Sequence, residues 1–141
     1  MIIIAHRGNL EGRNPETENH PDQILNAIEE GFDVEVDVWY VDGWYLGHDE
    51  PTYKVTEKFL EGDGLWLHAK SLKAVEKLYK KDVNWFWHEK DKVTITSKGY
   101  IWCFPGYEVD GGIMVEFQQK TDKNIIGVCT NYARARKKIN V

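Results

Sequence analysis

Met1–Asn9, MIIIAHRGN, runs a short strand-like stretch straight into a histidine, an arginine and a glycine. A cationic pair at a strand end can bind an anion or can be an ordinary solvated turn, and the remaining strand ends decide between the two. FDVEVDV carries Glu35 and Asp37, and the WYLG that follows leads into His48-Asp49. LWL leads into His68-Ala69-Lys70, NWFW into His88-Glu89, GIMV into Glu116, and IIGVC into Thr130-Asn131. Four of the five histidines thus directly follow an apolar run. In parallel α/β folds the carboxyl ends of the strands share one edge, and that edge carries the active site. Titratable groups repeated at this position read as one converging site.

The intervening segments supply the helices of such a fold. Pro21–Glu30 reads as a helix: Pro21 suits the first turn, Ile24, Leu25 and Ile28 form a stripe, and Gly31 stops it. FDVEVDVWY alternates with period two, and Asp42-Gly43 turns it back into WYLG as a hairpin. Thr56–Leu60 fits a short helix. Ser71 caps another over SLKAVEKLYKKD, with Leu72, Val75, Leu78 and Tyr79 on one face. NWFWH, YIWCF, GIMVEF and NIIGVCT complete the strand candidates, and between them almost no room remains for helices. Strand–helix alternation in the first half predicts βαβ units and a parallel sheet. With no repeat, low-complexity run or linker, residues 1–141 read as a single domain.

Composition narrows the class. A hydrophobic fraction of 42% suffices for a core, and a net charge of -5 argues against a nucleic-acid binder. The basic run Arg134–Lys138 reads as a helix end or solvated tail. No segment approaches the ~20 apolar residues of a membrane span, and the N-terminal apolar run is too short for a signal-peptide core. Cys103 and Cys129 lack CxxC spacing and lie in apolar segments, which predicts buried free thiols and a cytoplasmic location. The six tryptophans read as packing.

FDVEVDV adds chemistry. Side chains at i and i+2 share a face about 6–7 Å apart. Glu35 and Asp37 therefore point together while Val34, Val36 and Val38 face the helices. Two inward carboxylates repel and raise each other's pKa unless a cation lies between them, and hard oxygen donors suit Mg²⁺, Ca²⁺ or Mn²⁺. Asp33 shares their parity but opens the strand, at the far end, and reads as structural.

The ordered set AHRGN, Glu18-Asn19, FDVEVDV and DGWYLGHD resembles the glycerophosphodiester phosphodiesterase family, densely from Ile2 to Asp49 and again in LWLHAK and GVCTNYA. That resemblance implies a TIM-barrel fold, a place in lipid metabolism, and metal-dependent hydrolysis of a small phosphodiester. By position it makes His6 and His48 the acid–base pair, Arg7 and Lys70 phosphate contacts, and Glu35 and Asp37 metal ligands. It sets Glu18 and Asn19 in the loop lining the site, where His88, Glu89 and Glu116 are further candidates. The family's metal is Mg²⁺ or Ca²⁺.

The chain departs from the family pattern twice. The third metal carboxylate is replaced by His68. As a ligand it would favour Mn²⁺ or Zn²⁺, with affinity falling below pH of about 6.5; Glu89 or Glu116 could instead fill the gap. The chain is also shorter than the ~200–250 residues of a TIM barrel. The expected fold is a reduced or incomplete barrel with several helices missing in the second half, whose exposed edges a homodimer would cover. The alternative is a non-catalytic module that binds a phosphate ligand on a degenerate barrel.

Overall fold

The computed structural model describes residues 1–139. The chain is built around β2 (Asp33–Tyr40), the longest strand, whose alternating valines are fully buried. β1 (Ile2–His6) pairs parallel with one edge of β2, and β5 (Leu65–Ala69) pairs parallel with the other. Beyond β5 lies β6 (Trp85–Phe86); beyond β1 come β10 (Gly127–Thr130), β9 (Gly112–Val115) and β8 (Ile101–Cys103), every neighbouring pair parallel. Three short antiparallel strands complete a ten-stranded sheet: β3 (Trp44–Leu46), β4 (Tyr53–Val55) and β7 (Val93–Ile95). The helices are α1 (Pro21–Glu29), α2 (Glu57–Leu60), α3 (Leu72–Leu78) and α4 (Ala133–Ile139), and no helix lies between α3 and α4. The architecture is mixed α/β. Among the described residues no helix is long and apolar enough to cross a membrane.

Both faces of the sheet are packed. One core joins Val34, Val36, Val38, Leu65 and Leu67 to Ile24 and Ala27 of α1 and Ala74 and Leu78 of α3. The other lies on the opposite face and joins Ile4, Trp66, Phe86, Trp102, Ile113 and Cys129. Its members come from strands at both ends of the pairing order. The Trp102 ring of β8 lies 4.5 Å from Phe86 of β6 and 5.7 Å from Trp66 of β5. Two hydrogen bonds tie β6 to the turn after β7: Ser97 N–H to the Trp85 carbonyl and Trp85 N–H to Ser97 Oγ, both 2.8 Å. Cys103 and Cys129 are free and buried, as their apolar settings predict.

Local signals behave as the sequence predicts, with two corrections. Thr56 and Ser71 accept from backbone N–H groups three residues on, capping α2 and α3. The buried helix faces are narrower than the stripes suggest. Leu25 of α1 and Leu72 and Tyr79 near the ends of α3 are exposed, while Ala27 and Ala74 are buried. An alanine lets the helix backbone approach the valine face closely, so a short helix contacts the sheet along one row only. β4 and β7 lie outside the sequence expectations. Each is three residues, too short to show a period, and forms only as the antiparallel return of β3 or β8.

The turn after β3 carries His48 and requires glycine on steric grounds. A Cβ added at Gly47 would meet the Glu50 carbonyl oxygen at 2.0 Å and Thr52 Oγ1 at 2.9 Å. Gly47→Ala is therefore expected to lower stability by about 2–3 kcal/mol in chemical denaturation, because the obstructing atom is backbone. Wild-type stability in this variant would show that the turn yields freely and does not fix His48.

Candidate metal and acid–base centre

The register fixes which side chains meet. His6 stands opposite Glu35, and Asp37 opposite His68, in neighbouring parallel strands, so all four share the face away from the valines. With Arg7 and His48 they line a cavity of about 270 Å³ at the carboxyl edge of the parallel strands. Five side chains from four separate segments, all expected from the sequence (His6, Glu35, Asp37, His48 and His68), thus converge in one cleft. His88 and Glu89 line it as well.

Asp37 is the centre of the site. It is almost completely buried, and Asn19 holds it twice: Nδ2 donates to Oδ2 at 2.9 Å, and the Asp37 N–H donates to Asn19 Oδ1 at 3.0 Å. Arg7 Nε lies 3.3 Å from Oδ2, His48 Nδ1 3.5 Å from Oδ2, and His68 Nδ1 3.4 Å from Oδ1. The backbone is bent to make this possible. Arg7 and Asn19 both adopt left-handed conformations, with φ of 57° and 64°, and the Asn19 N–H donates to the Arg7 carbonyl at 3.0 Å. Glu18 then grips the guanidinium, accepting from Arg7 Nη1 at 2.9 Å. Glu18 and Asn19 are not part of that cavity's wall but line an adjoining one together with Arg7 and His48.

The electrostatics correct one expectation. Two inward carboxylates without a cation should raise each other's pKa, yet Asp37 is held well below the ordinary carboxylate range. Burial opposes its charge, but the His48 and His68 side chains and the charge of Arg7 outweigh burial. His68 is the counterpart. Burial works against its charge, but hydrogen bonding and attraction from Asp37 and Glu35 push it from an ordinary value near 6.5 up to about 9. Protein cations already offset the repulsion.

The donor set nonetheless fits a divalent ion. Glu35, Asp37 and His68 each offer one ligand atom, and these atoms lie within 4.8 Å of one another. Glu35 Oε1 and Asp37 Oδ1 are buried without a hydrogen-bond partner. His68 Nε2 lies 2.9 Å from the His88 carbonyl oxygen, an acceptor, so Nε2 carries a hydrogen and Nδ1 faces the carboxylates. Histidine ligands of metals are commonly oriented in this way. Glu116 does not compete for the third position: it turns to α4, where Arg136 Nε lies 3.5 Å from its carboxylate. Glu89 lines the cavity but accepts from Trp87 Nε1 at 3.0 Å. Lys70, the second expected phosphate contact, is half-buried just past the end of β5 and is not part of the cavity wall.

The two histidines expected to form the acid–base pair are in defined tautomers. Asn131 Oδ1 accepts from Asn9 Nδ2 at 3.0 Å and lies 2.8 Å from His6 Nδ1, so that nitrogen carries the hydrogen. His6 Nε2 keeps its lone pair and sits 3.9 Å from Glu35. His48 Nε2 lies 3.1 Å from Arg7 Nη2, which can only donate, so Nδ1 of His48 carries the hydrogen beside Asp37. Asn9 and Asn131 are absent from the sequence-derived site. Their signal was their place, in the HRGN turn and directly after GVCT. No protein-family model, no curated protein and no solved structure matches this chain.

Because folding raises the pKa of His68, its proton contributes stability fully below pH of about 6.5, and that contribution fades as pH climbs to about 9. The metal-free protein is therefore expected to lose stability across that window, and His68→Gln to flatten the profile in pH-resolved denaturation. A divalent ion ligated by Nδ1 must displace the same proton, so affinity should rise with pH up to about 9 rather than level off near 6.5. Calorimetry at pH 7.5 in buffers of different ionisation enthalpy should detect release of about one proton per ion. Zero release would place His68 outside the coordination shell.

Proposed function

We propose that the protein is a metal-dependent phosphodiesterase of the glycerophosphodiester type, built on a reduced TIM barrel. The observation that carries this reading is the convergence of two histidines, an arginine and a candidate metal triad on one strand-end edge. The packing of Phe86 and Trp66 against Trp102, and the bonds between Trp85 and Ser97, support a sheet that curves back on itself. The HRG, EN, ExD and HD order adds the family resemblance.

Glu35, Asp37 and His68 would hold the cation. When bound, it would supply Lewis-acid stabilisation of charge on the phosphoryl oxygens. The protein's own groups account for the proton traffic. Arg7, buried and fixed by Glu18, presents its guanidinium to a phosphoryl oxygen. His6 Nε2, with its lone pair free of any hydrogen bond, takes a proton from the attacking water as the water oxygen bonds to phosphorus. The bond to the departing alcohol breaks as His48, entering the reaction with a second proton at Nε2 once the phosphate has drawn the Arg7 guanidinium away from that nitrogen, gives this proton to the alkoxide, its ring oriented through Nδ1 by Asp37. Asn131 keeps His6 in the required tautomer.

A phosphate-binding module without turnover is the second reading. Its support is that Arg7 and His68 already balance the buried carboxylates, so the site is electrostatically complete without a cation. The two readings part on catalysis. Hydrolysis of bis-p-nitrophenyl phosphate and of a glycerophosphodiester panel should occur, stop with EDTA and return with added divalent ion. His6→Ala and His48→Ala should each lower kcat about 10²–10⁴-fold while metal binding persists. Absence of metal-dependent cleavage, with phosphate-ester affinity unchanged in His48→Ala, would overturn the enzyme in favour of the binder.

A further inference from the structure

The cavity that holds the charged groups has two unlike walls. Its charged side comes from β1, β2, β5 and the turn after β3. The strand ends of the second half supply the rest: His88 and Glu89 after β6, and beside them an apolar stretch made of Trp102, Phe104, Pro105, Val115 and Phe117. The two walls join through ring contacts. His68 stacks on Phe86 with centroids 4.8 Å apart, Phe86 packs on Trp102 at 4.5 Å, and His88 meets the edge of Phe104 at 6.0 Å. The apolar side reaches from buried Trp102 to Phe117, which is 60% exposed.

From this asymmetry we infer that the substrate is a phosphodiester with one apolar alcohol arm, an aryl or alkyl group, seated against Phe104 and Phe117. The inference rests on the phosphodiester reading above and adds the identity of one arm. A glycerol arm carries hydroxyls that need hydrogen-bond partners once desolvated, and of the five side chains of this wall four have no polar atom, while the fifth, Trp102, has a single indole N–H on a ring that is almost wholly buried. An apolar arm covers the exposed Phe117 ring and removes its own surface from water, so the same wall attracts it. The phosphate anchors the ligand on the charged side, and the wall discriminates between arms. The stretch that supplies the wall, from YIWCF to GIMVEF, is also where the resemblance to the glycerophosphodiester family is absent.

The test measures binding rather than turnover. Hexyl methyl, phenyl methyl and glyceryl methyl phosphate are titrated into the full chain with Mn²⁺ present, and dimethyl phosphate, whose arms are too short to reach the wall, serves as the reference. Dissociation constants are read by ³¹P NMR and checked by tryptophan fluorescence. At least one apolar diester should bind tenfold or more tighter than the glyceryl diester, with the phenyl and hexyl probes separating a ring from a chain. Phe117→Ser, a change at an exposed position, should shrink that ratio to threefold or less. A glyceryl diester that binds as tightly as both apolar ones, or a ratio untouched by both Phe117→Ser and Phe104→Ala, would overturn the inference and leave the phosphodiesterase reading standing. Failure of all four probes to bind at millimolar concentration would overturn both.

Discussion

A buried carboxylate must be answered by donors or cations, and the charge on Asp37 organises this molecule. Leaving it unpaired would cost several kcal/mol. The chain answers with Asn19 from the loop after β1, Arg7 from the end of β1, His48 from the turn after β3 and His68 from β5. Each of those contacts fixes a separate segment. The left-handed backbone at Arg7 and Asn19 is intelligible on the same ground, since it turns one residue's guanidinium and the other's amide toward the same oxygen. Left-handed conformations at residues other than glycine are costly and persist where surrounding contacts over-determine them. Here those contacts also arm the cleft.

His68 stands where the pattern the chain resembles has a carboxylate, and its geometry makes that difference coherent. A glutamate at this position would add a third negative charge to a pocket with two buried carboxylates. An imidazole can take either of two states. Protonated, it is the pocket's internal cation; neutral, it offers Nδ1 as a ligand while Nε2 stays on the His88 carbonyl. A carboxylate site tends to demand its ion for electrostatic balance, whereas this one holds its carboxylates with or without it. The cost is proton competition, which ties the affinity of the pocket for any divalent ion to pH.

What the sequence made legible follows from physics of short range. The parity of FDVEVDV separates Val34, Val36 and Val38 from Glu35 and Asp37, because alternation in a strand is a local property. The placement of histidines after apolar runs anticipates their meeting, since parallel strands pool their ends. What remained hidden depends on pairing across the chain. Asn131 stands 125 positions from His6, yet its amide sets the tautomer. Glu116 resembles a ligand by its place after GIMV, but Arg136 of the last helix claims it. The pKa of Asp37 could not be judged from two carboxylates alone, because the groups that lower it, Arg7, His48 and His68, come from three other segments.

The short second half is compatible with a well-formed site because the two halves contribute different things. Charged groups need rigid backing, and β2 has it: strands on both sides, and α1 and α3 packed on its valine face. The segment from β6 to β10 lacks helices, but its inward side chains fill the second core, where Phe86, Trp102 and Ile113 lie below the charged edge. Large aromatic rings bury much surface per residue, which suits strands of only two to four residues. The same choice has a chemical consequence. Strands that hold themselves together with aromatic and branched side chains continue that character to their carboxyl ends, so the cleft meets its ligand with one charged wall and one apolar wall.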